Sequence, residues 1–133
     1  EGYIPSALIG AGSADMILSM EPLEALRYLD FLKLDGVVVT SGEPFVNIPN
    51  YPEKERIHAD IKALNGSIIV DTVSLAKQAG STRAANMVMV GAAGKFIPVE
   101  KAHLLQAIRE FFKAKGDNII ETNIKAFELG SAM

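Results

Sequence analysis

Residues 14–33, ADMILSMEPLEALRYLDFLK, restrict the fold most, because a short apolar run passes through one acidic turn into a proline-marked helical pattern. Residues 16–20 are too apolar for a half-exposed strand and too short for a helix, which predicts a buried parallel strand. Pro22 cannot continue a helix from upstream, since its ring would clash with the carbonyl four residues back, but it suits the first helical position. The helix is therefore expected to run from Pro22 to about Lys33. Leu23, Leu26, Leu29, Phe31 and Leu32 form its buried side, and Glu24, Arg27, Asp30 and Lys33 lie opposite.

Two further short strands follow at 36–40 (GVVVT) and 67–71 (SIIVD), both rich in β-branched residues. Between them a proline-marked loop over 41–52 leads into a helix with Ile57, Ile61 and Leu64 at helical spacing, closed by Asn65-Gly66. After the third strand come helical patterns over 72–79 and 82–93, split by Gly80-Ser81, with Ser81 as N-cap. Pro98 is expected to open a longer helix ended by Gly116, and Asp117 to cap a last helix closed by Gly130. Alternating strands and crossover-length helices imply an α/β chain: three layers, α/β/α, around a Rossmann-like, mostly parallel sheet. Three strands are few for such a sheet, and a fourth is expected only if residues 3–9 pair. The start at Glu1 rather than Met, together with the short sheet, is read as a domain incomplete at its N-terminus.

At 133 residues, 49% of them hydrophobic, the whole of 1–133 reads as one domain with a sizeable core. A formal net charge of −3 with scattered Lys and Arg gives no basic stripe, which argues against nucleic-acid binding. No apolar run reaches the roughly 18 residues of a membrane span, and no signal-peptide pattern opens the sequence, so a cytoplasmic location is expected. The chain has no cysteine and so can form neither a disulfide nor a thiolate-held iron–sulfur cluster of its own.

Residues 10–15, GAGSAD, superficially match a dinucleotide-binding loop but precede a strand instead of linking a strand to a helix, and are read as a turn. Gly116-Asp117-Asn118 is read as a helix end followed by a helix start rather than as part of a thiamine diphosphate metal motif. His58 and His103 lack partners at ligand spacing and are assigned to solvated helix faces. Glu21 and Glu24 fall in a first helical turn, where carboxylates complement the helix dipole and Glu24 can reach back to a free amide. Glu21 also stands at the carboxyl end of a parallel strand, where open α/β sheets place their ligand crevice. Asn86, amid Met87, Val88, Met89 and Val90, is either a hydrogen bond into a neighbour or a ligand contact.

Three blocks in order, EPLEALR (21–27), RAANMVMVGA (83–92) and ETNIKAFELG (121–130), resemble the gamma-type subunit or domain of 2-oxoacid:ferredoxin oxidoreductases, with indolepyruvate oxidoreductase beta subunits the nearest likeness. The family's opening G-x-G-G-Q-G turn and its G-x-x-Q-R-G-G segment do not occur, so the resemblance covers the C-terminal larger part of that unit. It implies a supporting role in a multi-subunit enzyme that decarboxylates a 2-oxoacid, reduces ferredoxin and forms an acyl-coenzyme A. Thiamine diphosphate with its Mg, and the iron–sulfur clusters, would then sit on alpha-type and iron–sulfur partner subunits, with coenzyme A as co-substrate. Glu21, Glu24, Arg27 and Asn86 are the ligand-positioning candidates, with no catalytic residue and no metal ligand expected here. Two alternatives are a stand-alone nucleotide- or small-molecule-binding α/β module and a non-catalytic scaffold using Phe45, Val46, Ile48 and Tyr51 of the 41–52 loop. An uncovered sheet edge would also make the chain associate with itself or a partner.

Overall fold

The computed structural model describes residues 8–133. Three parallel strands, β1 (Ala14–Ser19), β2 (Leu32–Ser41) and β3 (Ile68–Val70), form one sheet in the order β1-β2-β3. Ile17 pairs with Val38, Leu18 with Val39, and Val39 in turn with Ile68. Of the expected fourth strand, residues 3–7 lie outside the described residues, and Leu8 and Ile9 are not in a strand.

Because side chains alternate along a strand, each strand supplies both faces of the sheet. Ile17, Val38 and Ile69 meet α1 (Pro22–Arg27) and α2 (Lys54–Lys62) through Ala25, Leu26, Ile57 and Ile61. Met16, Val39, Ile68 and Val70 face the other way, toward α3 (Thr72–Ala79), α4 (Ala85–Ala93) and α6 (Asp117–Ser131). Outermost is α5 (Lys101–Phe112), whose Ile108 and Leu104 pack on Ile120, Ile124 and Phe127 of α6. The result is the expected three-layer α/β/α arrangement, all parallel among the described residues.

The helix expected over 22–33 is shorter. It stops at Arg27, passes through a single 3-10 turn, Leu29–Phe31, and hands Leu32 to β2, where it pairs with Ala14. The strand pairing outweighs the helical spacing of Leu29 and Leu32. β1 is also less buried than expected. Among the described residues it pairs on one side only, and Leu18 is 43% exposed.

By contrast α3 has its expected bounds, since Asp71 accepts the Ser74 amide (3.0 Å) and Gly80 takes the left-handed φ of 112° that favours glycine. Ser81 takes the Arg83 amide at 3.3 Å, capping a 3-10 turn, Thr82–Ala84, that leads into α4.

Other helix ends differ from expectation: α2 stops at Lys62, short of Asn65-Gly66, and α5 stops at Phe112, with a 3-10 turn, Lys113–Lys115, before Gly116. Pro98 lies upstream of α5, which begins at Lys101 after Glu100. Gly116, not Asp117, occupies the cap of α6, at a φ of 88° and ψ of 160° open to glycine; Asp117 instead adds charge to the first turn. Gly130 does not close α6 but lies buried within it, where a Cβ would stand 2.0 Å from the Val88 carbonyl oxygen. Gly91 of α4 meets the Phe127 carbonyl in the same way, again at 2.0 Å. The two glycines let α4 and α6 cross backbone to backbone.

Gly12, with a φ of 63°, forms the turn expected before β1, and its amide bonds the Asp30 carbonyl at 2.9 Å. His58 departs from a solvated face, being half-buried with Nε2–H donated to the Gly42 carbonyl at 2.9 Å, whereas His103 is exposed as expected. No helix among the described residues is long and apolar enough to cross a membrane.

Candidate functional site

The carboxyl end of β1 delivers Ser19, Met20 and Glu21 directly to the start of α1. Ser19 locks the turn, donating its Oγ to the Glu21 carbonyl at 2.6 Å and accepting the Glu21 amide at 3.2 Å. Glu21 is the N-cap residue of α1, its Oε2 taking the Glu24 amide at 2.7 Å. This corrects the expectation that Glu24 reaches back: the Glu21 amide is taken by Ser19 Oγ, and the Glu24 carboxylate instead accepts from Arg27 at 2.7 Å.

The other oxygen of Glu21 ties down the 41–52 loop. Oε1 accepts the Phe45 amide at 3.4 Å and a short hydrogen bond from the Tyr51 hydroxyl. Burial, followed by the adjoining Glu21 carboxylate, pushes the Tyr51 phenol well above its ordinary range, because both disfavour the phenolate. Glu21 thus serves helix and loop at once, and its three donors leave it little capacity for a ligand. The loop's other end is fixed at Ser41, whose buried Oγ lies 2.7 Å from that of Thr72 at the start of α3.

Glu21, Glu24 and Arg27 line one cleft of about 550 Å³ together with Leu23, Phe45, Asn47, Ile48 and Tyr51. Arg27, with 67% of its side chain exposed, is the cation of this cleft, and its pKa is raised by the hydrogen bond and charge of Glu24. The arrangement presents a planar donor fork at the carboxyl end of the sheet, suited to a carboxylate or phosphate. Asn86 is not part of it. Asn86 sits exposed on α4, in the opposite helical layer, and lines a separate cavity with Arg83, Met87 and Phe112. Of the loop's apolar residues, Phe45 and Val46 are exposed at 70% and 68%, while Tyr51 turns inward to Glu21. Sequence reading placed Tyr51 on a partner surface because nothing local links it to a carboxylate 30 residues away. No group of three or more His, Asp or Glu residues placed to hold a metal ion occurs among the described residues.

Residues 4–133 match the family described as Pyruvate ferredoxin/flavodoxin oxidoreductase. The chain belongs to that family. Among curated relatives it is 34% identical to Indolepyruvate oxidoreductase subunit IorB of Pyrococcus horikoshii, over 93% of this chain and 65% of the relative. The IorB subunit of Archaeoglobus fulgidus is 32% identical, over 97% of this chain and 67% of that protein. The chain thus spans about two thirds of the length of the family members it matches. A 2-oxoglutarate:ferredoxin oxidoreductase from Magnetococcus marinus, solved with 2-oxoglutarate, coenzyme A and succinyl-CoA bound, superposes with a TM-score of 0.64. That match covers 96% of this chain and 21% of the other at 20% identity, and it shows a shared fold.

Proposed function

We propose that this chain works as the gamma-type unit of a 2-oxoacid:ferredoxin oxidoreductase, of the indolepyruvate kind, and is inactive alone. The observation that carries the reading is the 34% identity to an IorB subunit across 93% of the chain. In this reading a 2-oxoacid is decarboxylated on thiamine diphosphate and Mg held by an alpha-type partner. Electrons then pass through the partners' iron–sulfur clusters to ferredoxin, and the acyl group leaves on coenzyme A. The 133 residues hold no cysteine, and so no thiolate for such a cluster, which supports placing the clusters on the partners.

Within the complex, the cleft at the end of β1 faces the reaction from the coenzyme A side. Arg27 meets an anionic group of the co-substrate, Glu24 orients the guanidinium, and Glu21 sets the loop and helix that frame it. Asn86 acts in its own cavity. The test is ferredoxin reduction by the full-length protein assembled with its thiamine-binding partner, supplied with indolepyruvate and coenzyme A. Reduction requiring both polypeptides is expected, and indolepyruvate should outrun pyruvate. An assembled pair inert toward every 2-oxoacid would overturn the reading.

A further inference from the structure

The cavity that contains Asn86 lies on the far side of the molecule from the β1 cleft. Of about 600 Å³, it opens between α4, the C-terminal end of α5 and the first turns of α6. Its apolar part comes from Met87 and from Phe111 and Phe112, which meet edge to face at 5.0 Å between ring centroids. Phe111 is 77% exposed, a large aromatic surface left facing water.

The charge is one-sided. Arg83 and Lys115 both line the cavity, no acidic residue does, and neither cation has a carboxylate partner among the described residues. Lys115 instead lies over the Phe112 ring, 5.5 Å from its centroid. Asn86 at the rim makes no side-chain hydrogen bond among the described residues. The lining is thus cationic and apolar in a chain whose net charge is −3.

We infer that this cavity is a docking surface for another polypeptide, which inserts an apolar side chain flanked by carboxylates. Aromatics, Met and Arg around a concave centre are the composition of interface hot spots, and a partner that covers the two cations is favoured by acidic groups opposite them. A second copy does not meet that requirement, because a two-fold pair would bring the same cationic patch against itself. Asn86 supplies a donor and an acceptor for backbone groups of the incoming segment. The inference rests on the reading of the chain as a subunit, and takes the thiamine-binding subunit as the partner.

The experiment measures association of the full-length protein with that subunit by biolayer interferometry, at low and moderate salt. The proteins compared are wild type, the double variant Arg83→Glu with Lys115→Glu, Phe111→Ala, and Lys62→Glu on α2 as a charge control. All of these positions are exposed, and circular dichroism verifies that each variant folds. The double variant is expected to weaken binding by roughly tenfold or more and to lose the salt dependence seen in wild type. Phe111→Ala should weaken binding at both salt concentrations, and the control should bind as wild type. Wild-type binding with no change in the double variant or in Phe111→Ala would overturn the inference while leaving the subunit reading intact. Absence of wild-type binding would overturn both.

Discussion

Glu21 is the residue on which the β1 end depends, since one carboxylate caps α1 and holds the 41–52 loop through the Phe45 amide and the Tyr51 hydroxyl. Glu21→Ala should cost about 2 kcal/mol, combining a lost cap with lost charge-assisted hydrogen bonds. Tyr51→Phe should cost about 1 kcal/mol. Urea unfolding of both single variants and the double variant should show the costs to be non-additive, because the two groups share a bond. Additive losses would mean that the tether contributes nothing. Tyr51 also predicts an alkaline response. Its pKa is raised in the folded state, so its contribution is fully present below the ordinary tyrosine value of 10.0 and declines above it, as the unfolded chain ionises first. Stability measured from pH 8 to 11 should fall less steeply in Tyr51→Phe, and parallel curves would contradict this. Glu21 was legible from its place after a strand and before Pro22. Tyr51 was not, because its partner is brought near only by the fold.

Among the elements, α3 was fully legible, as Asp71 and Gly80 mark its ends by side-chain and backbone chemistry that acts locally. The truncation of α1 was not, because Leu32 is claimed by a strand pairing with Ala14 that helical spacing does not report. Nor was the true role of Gly130, which resembles a closing glycine in sequence but serves a helix crossing. Gly130→Ala places a methyl group 2.0 Å from the Val88 carbonyl oxygen, on rigid backbone, so α4 and α6 must separate. A loss of about 3 kcal/mol is expected by urea unfolding, against a few tenths for Ala at an exposed position of α5. A neutral Gly130→Ala variant would show that the crossing is looser than described.

At the scale of the molecule, the layer order was legible from alternation of strands and helices, and the exposed side of β1 was anticipated only as an uncovered edge. Among the described residues that edge is lined by Ile9, Leu18, Tyr28 and Phe31 along a trough of about 600 Å³. An apolar strand edge of this kind recruits another strand. The 133-residue chain is therefore expected to self-associate in light scattering, and Leu18→Lys to reduce that association; a clean 14.3 kDa monomer at high micromolar concentration would contradict it.

The three candidates that share the β1 cleft, Glu21, Glu24 and Arg27, carry the central proposal, that the carboxyl end of this sheet serves a reaction whose cofactors another polypeptide supplies. Steady-state kinetics of the assembled oxidoreductase carrying Arg27→Ala test it most directly. The predicted result is a KM for coenzyme A raised about tenfold with kcat little altered, the signature of a lost binding contact. Unchanged KM and kcat in a fully assembled complex would contradict it.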